Sequence, residues 1–169
     1  MTVDSFKFLP RLIASFYQMT ELEPEYPIPW TPLTKPVTAC KFGLVTSAGL
    51  YCPAVEPPFD VAREQQEPTW GDPTYRTIAA SARQEELAAS HLHLNCASME
   101  QDVNIVLPIR RFQELTAVGA IGGLAQFHYS FMGFQGFPPD TSLWRTQYGP
   151  EVAAKLRAEG VDCVLLTPT

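Results

Sequence analysis

Two histidines separated by one residue, His91 and His93, form the pair in this chain best suited to chemistry. If they lie on a β-strand, side chains two positions apart point to the same face, so both imidazoles would meet one ligand. Imidazole titrates near neutral pH and also binds metals. The pair is therefore a candidate for proton transfer, substrate binding or metal binding, and packed, hydrogen-bonded structural histidines are the alternative.

Asp102 and Asn104 repeat the two-residue spacing shortly before Pro108. A carboxylate can orient a histidine, and Asp or Asn can equally cap the start of a helix. We therefore take Asp102 as a candidate catalytic residue beside the histidines and Asn104 as a candidate substrate ligand. Helix capping is the alternative for both.

Three more residues are candidates for binding a substrate, namely Tyr75, Arg76 and Tyr129. The paired donors of an arginine suit the carboxylate of an amino acid. Tyr129 opens an aromatic, glycine-rich stretch in which glycines permit close approach to the backbone, as a pocket wall requires. A solvent-exposed arginine and packed core aromatics are the alternatives.

The elements that would position these residues alternate between strand and helix. Apolar residues at helical spacing, with Pro108 at the start and Gly119 at the end, predict a helix over 108–119. The other predicted elements are strands at 41–47, 77–78, 91–94, 124–131 and 161–166, a helical turn within 82–87 and a helix over 150–159. This order predicts an α/β fold, a mainly parallel sheet with helices on both faces.

Two segments stand apart from this pattern. Residues 1–36 combine helical spacing over 5–19 with a proline-dense stretch over 23–36, which predicts an N-terminal helix and arm before a domain over 37–169. Residues 53–73 are rich in Pro, Glu, Gln and Asp and too long for an ordinary connection, so they are a functional loop or a mobile one.

Composition excludes several classes of function. The net charge is −6 and no basic run occurs, which argues against nucleic acid as a partner. No apolar stretch approaches the roughly 20 residues of a membrane span, and the N-terminus lacks a signal-peptide pattern, so we expect a cytoplasmic protein.

The cysteines form no C-x-x-C pair, which predicts buried thiols; they are Cys40, Cys52, Cys96 and Cys163.

Several short motifs follow one another along most of the chain. They are EPPFD at 56–60, GDPTYR at 71–76, SHLH at 90–93, QDVN at 101–104, Pro108, YSFMGF at 129–134 and GVDCVLLTPT at 160–169. In order and spacing they resemble the selenoprotein B family of glycine, sarcosine, betaine and D-proline reductases, with the closest pattern in the D-proline reductase B subunit.

The resemblance implies reductive cleavage of a C–N bond in a small amine or amino acid, with a dithiol as electron donor. A partner subunit would present the substrate, and a selenolate would attack its α-carbon, since the ionised chalcogen is the nucleophile. In the family, selenocysteine or cysteine follows the strand that resembles 161–169. We therefore expect the redox residue directly after Thr169, as a selenocysteine whose UGA codon is misread as a stop, and no cofactor within this chain.

This sequence departs from the family after the histidines, where Asn95 and Cys96 stand in place of an aspartate. Fewer anionic ligands remain, so no metal site is predicted. A redox-dead domain that binds a ligand as a scaffold, or another small-molecule enzyme that depends on His91 and His93, remain alternatives. The sequence also leaves homo-oligomerisation open.

Overall fold

In a computed structural model of the protein, the described residues are 31–169, together with Arg11, Ser15 and Pro27. The chain divides after Pro32, and the unit Leu33–Thr169 carries the elements given below. The predicted helix at 5–19 and most of the arm at 23–36 lie outside the described residues. The domain boundary between 36 and 37 stays a prediction.

Strands and helices alternate through this unit. The strands are β1 (Lys41–Thr46), β2 (Leu50–Tyr51), β3 (Tyr75–Ala79), β4 (Ala88–Ala89), β5 (Gly123–Leu124), β6 (Phe127–Phe131) and β7 (Cys163–Thr167). The helices are α1 (Val61–Gln66), α2 (Ala97–Gln101), α3 (Ile109–Ala117) and α4 (Gly149–Ala158), with a π-helical turn at Trp144–Tyr148. Within the described residues, none of the helices has the length and hydrophobicity that a membrane span requires.

The main sheet is built around β1, which pairs in parallel with β5, β6 and β7. β3 closes one side by pairing antiparallel with β6, and β2 and β4 form a separate antiparallel pair. The strand predicted over 124–131 is divided into β5 and β6. At the break, the N–H of Gln126 donates to the carboxylate of Glu159 at 2.6 Å instead of to a neighbouring strand.

Helices cover both faces of the sheet. Successive side chains of β1 point to opposite faces, and each enters a cluster that contains a different helix. Leu44 packs in the cluster that contains Ile109 of α3. Val45 packs against the cluster of Tyr129, Phe131, Val152 and Leu156, which joins β6 to α4. The predicted α/β class and mainly parallel sheet are therefore confirmed.

The helix predicted over 108–119 is also confirmed. α3 begins directly after Pro108 and ends at Ala117, and Gly119 has φ of 71°, a conformation that glycine adopts without strain. A glycine in the same conformation follows α4, where Gly160 has φ of 72°. Local chain chemistry thus sets the ends of both helices.

The strand predicted at 91–94 is wrong: these residues form a turn between β4 and α2. The backbone N–H of His93 donates to Nδ1 of His91 at 3.1 Å, a local side-chain bond that replaces strand pairing. The two histidines are therefore not brought to one face by the alternation of a strand.

Residues 53–73, predicted as a functional or mobile loop, contain a short helix, α1. Its start is capped by Asp60, which accepts from the N–H of Arg63 at 3.0 Å.

Candidate functional site

The carboxyl ends of β1, β6 and β7 meet at one edge of the sheet. Ser47 follows β1, and its N–H donates to the carbonyl of Thr167 at 3.3 Å. The N–H of Thr169 donates in turn to Oγ of Ser47 at 2.9 Å. In α/β proteins this edge is where ligands bind. We call it the carboxyl edge.

His91 reaches the carboxyl edge at Gly133, the second residue after β6. A Cβ atom on Gly133 would lie 3.0 Å from the carbonyl of Thr169, 3.1 Å from that of Ser47 and 3.3 Å from Nε2 of His91. All three atoms therefore converge on the space that glycine leaves empty. The turn at 91–94 brings this imidazole to the strand ends.

Hydrogen bonding fixes which nitrogen of His91 carries the proton. Nδ1 accepts the N–H of His93, and a neutral imidazole that accepts at Nδ1 carries its hydrogen on Nε2. Burial, followed by the nearby charge of His93, lowers the pKa of His91 and favours this neutral form. Nε2 is buried without a partner. His91 thus offers an unused N–H donor at the carboxyl edge, which suits a substrate oxygen.

His93 lies beside His91, with ring centroids 6.1 Å apart and planes close to perpendicular. Its ring also packs on Phe134, at a centroid distance of 4.4 Å. Its Nε2 lies 2.9 Å from Oε1 of Glu64, a residue of α1. The structure therefore brings the two predicted histidines together and adds a carboxylate to them.

Glu64 is the functional candidate that the sequence analysis missed. Its side chain is only 1% exposed, and its second oxygen, Oε2, is buried without a partner. Burial is the main effect and raises the pKa of Glu64, whereas the charge and hydrogen bond of His93 lower it. The adjacent residues Arg63 and Gln65 are polar and exposed, so the local sequence carries no sign of a buried carboxylate.

Arg76 positions the segment that leads into α1. Its Nε donates to the carbonyl of Pro57 at 2.8 Å and its Nη2 to that of Pro58 at 2.9 Å, while the guanidinium lies 4.2 Å from the ring centre of Phe59. Nη1 donates to Oγ1 of Thr74 at 2.8 Å. A substrate carboxylate would have to replace these bonds. Binding of substrate by Arg76 stays a prediction.

Asp102 and Asn104 hydrogen-bond locally. Oδ1 of Asp102 accepts the backbone N–H of Asn104 at 3.0 Å and its Nδ2 at 2.8 Å. Oδ1 of Asn104 accepts the N–H of Arg110 at 3.1 Å, at the start of α3. Among the described residues, neither side chain bonds to a histidine. The capping alternative is therefore present in the structure, and the catalytic and substrate roles stay predictions.

Tyr75 and Tyr129 lie on the face of the sheet that α4 covers. Their ring centroids are 5.7 Å apart, and Tyr129 is a core residue that is 2% exposed. The hydroxyl of Tyr75 donates to Glu151 of α4 at 3.4 Å. Burial raises the pKa of Tyr129. This geometry is that of core packing, and substrate binding by either tyrosine stays a prediction.

An apolar cavity of about 490 Å³ opens at the carboxyl edge. Its wall includes Ser47, Gly133, Trp144, Leu166 and Thr169. Trp144 lies in the π-helical turn before α4, and its Nε1 is buried without a partner. Because the cavity combines apolar walls with an unused donor, it can hold a small ligand with an apolar body and a polar end.

Cys163 lies at the opposite, amino end of β7, paired with Phe42 of β1. Burial, followed by a hydrogen bond with Cys40, raises the pKa of the Cys163 thiol. Since a thiolate is the reactive form, this surrounding disfavours nucleophilic chemistry. Among the described residues, no three His, Cys, Asp or Glu side chains form a group able to hold a metal ion.

Sequence comparison decides the family. A sequence model of the family described as glycine/sarcosine/betaine reductase selenoprotein B matches residues 12–169. The chain belongs to this selenoprotein B family. The resemblance found in the motifs is therefore confirmed.

Two relatives show how far the similarity extends. The chain is 34% identical to D-proline reductase subunit gamma of Acetoanaerobium sticklandii over 138 residues, which is 82% of this chain and 52% of that protein. It is 28% identical to glycine reductase complex component B subunit gamma of Carboxydothermus hydrogenoformans over 143 residues, which is 84% of this chain and 31% of that protein. The chain thus spans about half or less of these relatives. No solved structure matches it.

Proposed function

We propose that this chain is part of a reductase subunit that cleaves a C–N bond in a small amine or amino acid, with a dithiol as electron donor. The observation that carries the proposal is the unpaired Nε2–H of His91 at the carboxyl edge of a selenoprotein B family chain. The names of the two relatives point to D-proline and glycine as the first substrates to test.

The overall reaction needs two electrons and two protons. The C–N bond breaks, a C–H bond forms at the α-carbon, and the nitrogen leaves as an amine after it gains a proton. The dithiol supplies both electrons and becomes a disulfide. Cys163 lies at the opposite, amino end of β7, and we propose that a selenocysteine or cysteine beyond Thr169 supplies the redox group. When ionised, that group is the nucleophile.

The residues of this chain would bind the substrate and handle protons. The Nε2–H of His91 is suited to donate a hydrogen bond to a substrate carboxylate or carbonyl oxygen. The imidazole of His93, held by Glu64, is suited to deliver the proton that the departing nitrogen requires. The cavity beside Trp144 would hold the apolar part of the substrate. A partner reductase subunit would present the substrate.

The proposal is tested by measuring dithiol-dependent consumption of D-proline and glycine by the protein purified from its source with its associated subunits. His91→Ala should reduce turnover at least tenfold while the fold is retained, since removal of one preorganised hydrogen-bond donor costs roughly 10²–10³-fold in rate. Leu92→Ala is the matched control, because Leu92 lies between the histidines and is exposed. Equal activity of the wild type and His91→Ala proteins would contradict the assigned role.

A ligand-binding domain without redox activity is the second candidate. The cavity and the unpaired donor of His91 are both present, whereas the thiol of Cys163 lies at the other end of its strand. Calorimetric binding of D-proline or glycine, with no consumption of dithiol by the complete complex, would favour this candidate over the reductase.

A further inference from the structure

Glu64 is a buried carboxylate with one polar partner. Oε1 lies 2.9 Å from Nε2 of His93, and Oε2 is buried without a hydrogen bond. Burying a carboxylate costs free energy unless its oxygens are well paired, so an incompletely paired one is unusual in a protein core. The fold holds it there through Arg76, which fixes the carbonyls of Pro57 and Pro58 just before α1.

The other charged groups around Glu64 are engaged elsewhere. Arg63, the preceding residue of α1, pairs with Glu67 at 3.1 Å and lies over the ring of Trp70. Asp72 accepts from the N–H of Asp60 and lies 3.7 Å from Arg76. Asp72 also raises the pKa of Glu64, as a neighbouring negative charge must. Among the described residues, His93 is therefore the group that can stabilise the Glu64 charge by a hydrogen bond.

This contact determines the chemistry of the His93 ring. An ionised Glu64 accepts a hydrogen from Nε2, so a neutral His93 keeps its hydrogen on Nε2 and leaves Nδ1 as the acceptor. The ring is half exposed, and Nδ1 has no hydrogen bond to any residue described here. Nδ1 is thus the atom that can exchange a proton with a ligand. His91 has the same tautomer but a different role, because its Nδ1 is already occupied.

We infer that Glu64 is a positioning residue: it holds the His93 imidazole with Nε2 engaged, so that Nδ1 gives the proton to the departing nitrogen of the substrate. The inference rests on the proposed C–N cleavage for its last step alone. The proton passes from Nδ1 of the imidazolium to the nitrogen as the C–N bond breaks, and His93 regains a proton from solvent before the next turnover. Glu64 acts through His93 and does not itself touch the substrate.

The test is the tautomer of His93, read from the two-bond ¹H–¹⁵N couplings of ¹⁵N-histidine-labelled full-length chain by NMR. The His93 signals are assigned with a His93→Gln variant. The wild type should carry the neutral-ring hydrogen on Nε2. In Glu64→Gln the ratio of Nε2–H to Nδ1–H forms should fall roughly fivefold or more, because a charged acceptor makes a bond about twice as strong as a neutral one.

Glu67→Gln is the matched control, since it makes the same change at an exposed position of the same segment and should leave the ratio unchanged. A wild-type His93 with its hydrogen on Nδ1 overturns the inference, and this result needs no variant to fold. An unchanged ratio in a folded Glu64→Gln protein overturns it as well.

Turnover separates this inference from the proposed function. In the active complex, Glu64→Gln should lower kcat and alter its pH profile with little effect on KM, and Glu64→Asp should restore part of the rate. An unaltered pH profile contradicts the inferred role of Glu64. If the wild-type complex reduces neither amino acid, the proposed function fails, while the tautomer measurement still decides whether Glu64 positions His93.

Discussion

Gly133 is the position where a single methyl group should disturb the candidate site most specifically. In Gly133→Ala the new Cβ would meet the carbonyl oxygens of Thr169 and Ser47 at 3.0 and 3.1 Å and Nε2 of His91 at 3.3 Å. These distances are a few tenths of an ångström shorter than normal carbon contacts. The two carbonyls belong to residues whose backbone N–H groups are hydrogen-bonded, whereas the imidazole is a side chain, so we expect the His91 ring to move first.

The magnitude follows from two opposing effects. Overpacking a close-packed site costs about 1–3 kcal/mol. Replacing glycine by alanine in an unstrained conformation stabilises the folded protein by about 0.4–1 kcal/mol, because it restricts the unfolded chain. This gain applies at Gly133, which does not have a positive φ. We therefore expect a net loss of roughly 1–2 kcal/mol, which corresponds to a melting temperature lower by about 2–8 °C for a chain of this size.

Gly123→Ala supplies the comparison, because the nearest atom to a Cβ there is Cγ of Lys41 at 4.0 Å. The assay is urea unfolding followed by far-UV circular dichroism, with the ring signals of His91 observed by NMR. Gly133→Ala should be destabilised with shifted His91 signals, and Gly123→Ala should match or exceed the wild-type stability. Equal stability of the two variants, with His91 unperturbed, would refute the packing described at this edge.

Three further predictions concern charge, hydrogen bonding and thiol chemistry. Burial raises the pKa of Glu64, so its contribution to stability is complete below the unfolded pKa and is lost as pH rises through the higher folded value. Glu64→Gln should therefore gain stability relative to the wild type as the pH rises from 4 to 8, measured by thermal unfolding. Arg76→Lys should cost about 2–3 kcal/mol in urea unfolding, since lysine cannot reproduce the bonds to Pro57 and Pro58. Cys163→Ala should leave dithiol-dependent turnover within about twofold of the wild type, because its thiol lies away from the carboxyl edge and its pKa is raised.

Each of these results has a clear opposite. If Glu64→Gln instead loses stability relative to the wild type as the pH rises, the burial of an ionisable Glu64 is contradicted. Arg83→Lys is the control for Arg76, since Arg83 is exposed, and equal losses for the two would remove the anchoring role of Arg76. A complete loss of turnover in folded Cys163→Ala would make that thiol part of the chemistry.

The sequence predicted the elements whose limits depend on local chemistry. Pro108 and Gly119 frame α3, and Gly160 follows α4, because these residues set backbone conformation without help from the rest of the fold. The strands β1 and β7 were predicted because each is a short run rich in apolar residues. The parallel arrangement followed from their alternation with helices.

The candidate site was predicted only in part, because its geometry depends on tertiary contacts. His91 and His93 do lie together, although a turn places them and not the expected strand. Glu64 is buried because Arg76 fixes the preceding segment from a distant strand, and no local pattern encodes that contact. The spacing of Asp102 and Asn104 is explained by a local cap, which the same pattern predicts equally well.

The central proposal is that a redox residue follows Thr169, at the edge of the sheet where Nε2 of His91 lies unpaired. The most direct measurement is the messenger RNA sequence beyond codon 169, read together with the intact mass and selenium content of the protein from its source. The account predicts a UGA or cysteine codon directly after Thr169 and a protein larger than 18.8 kDa. A natural protein that ends at Thr169, with no selenocysteine or cysteine after it, would contradict the account.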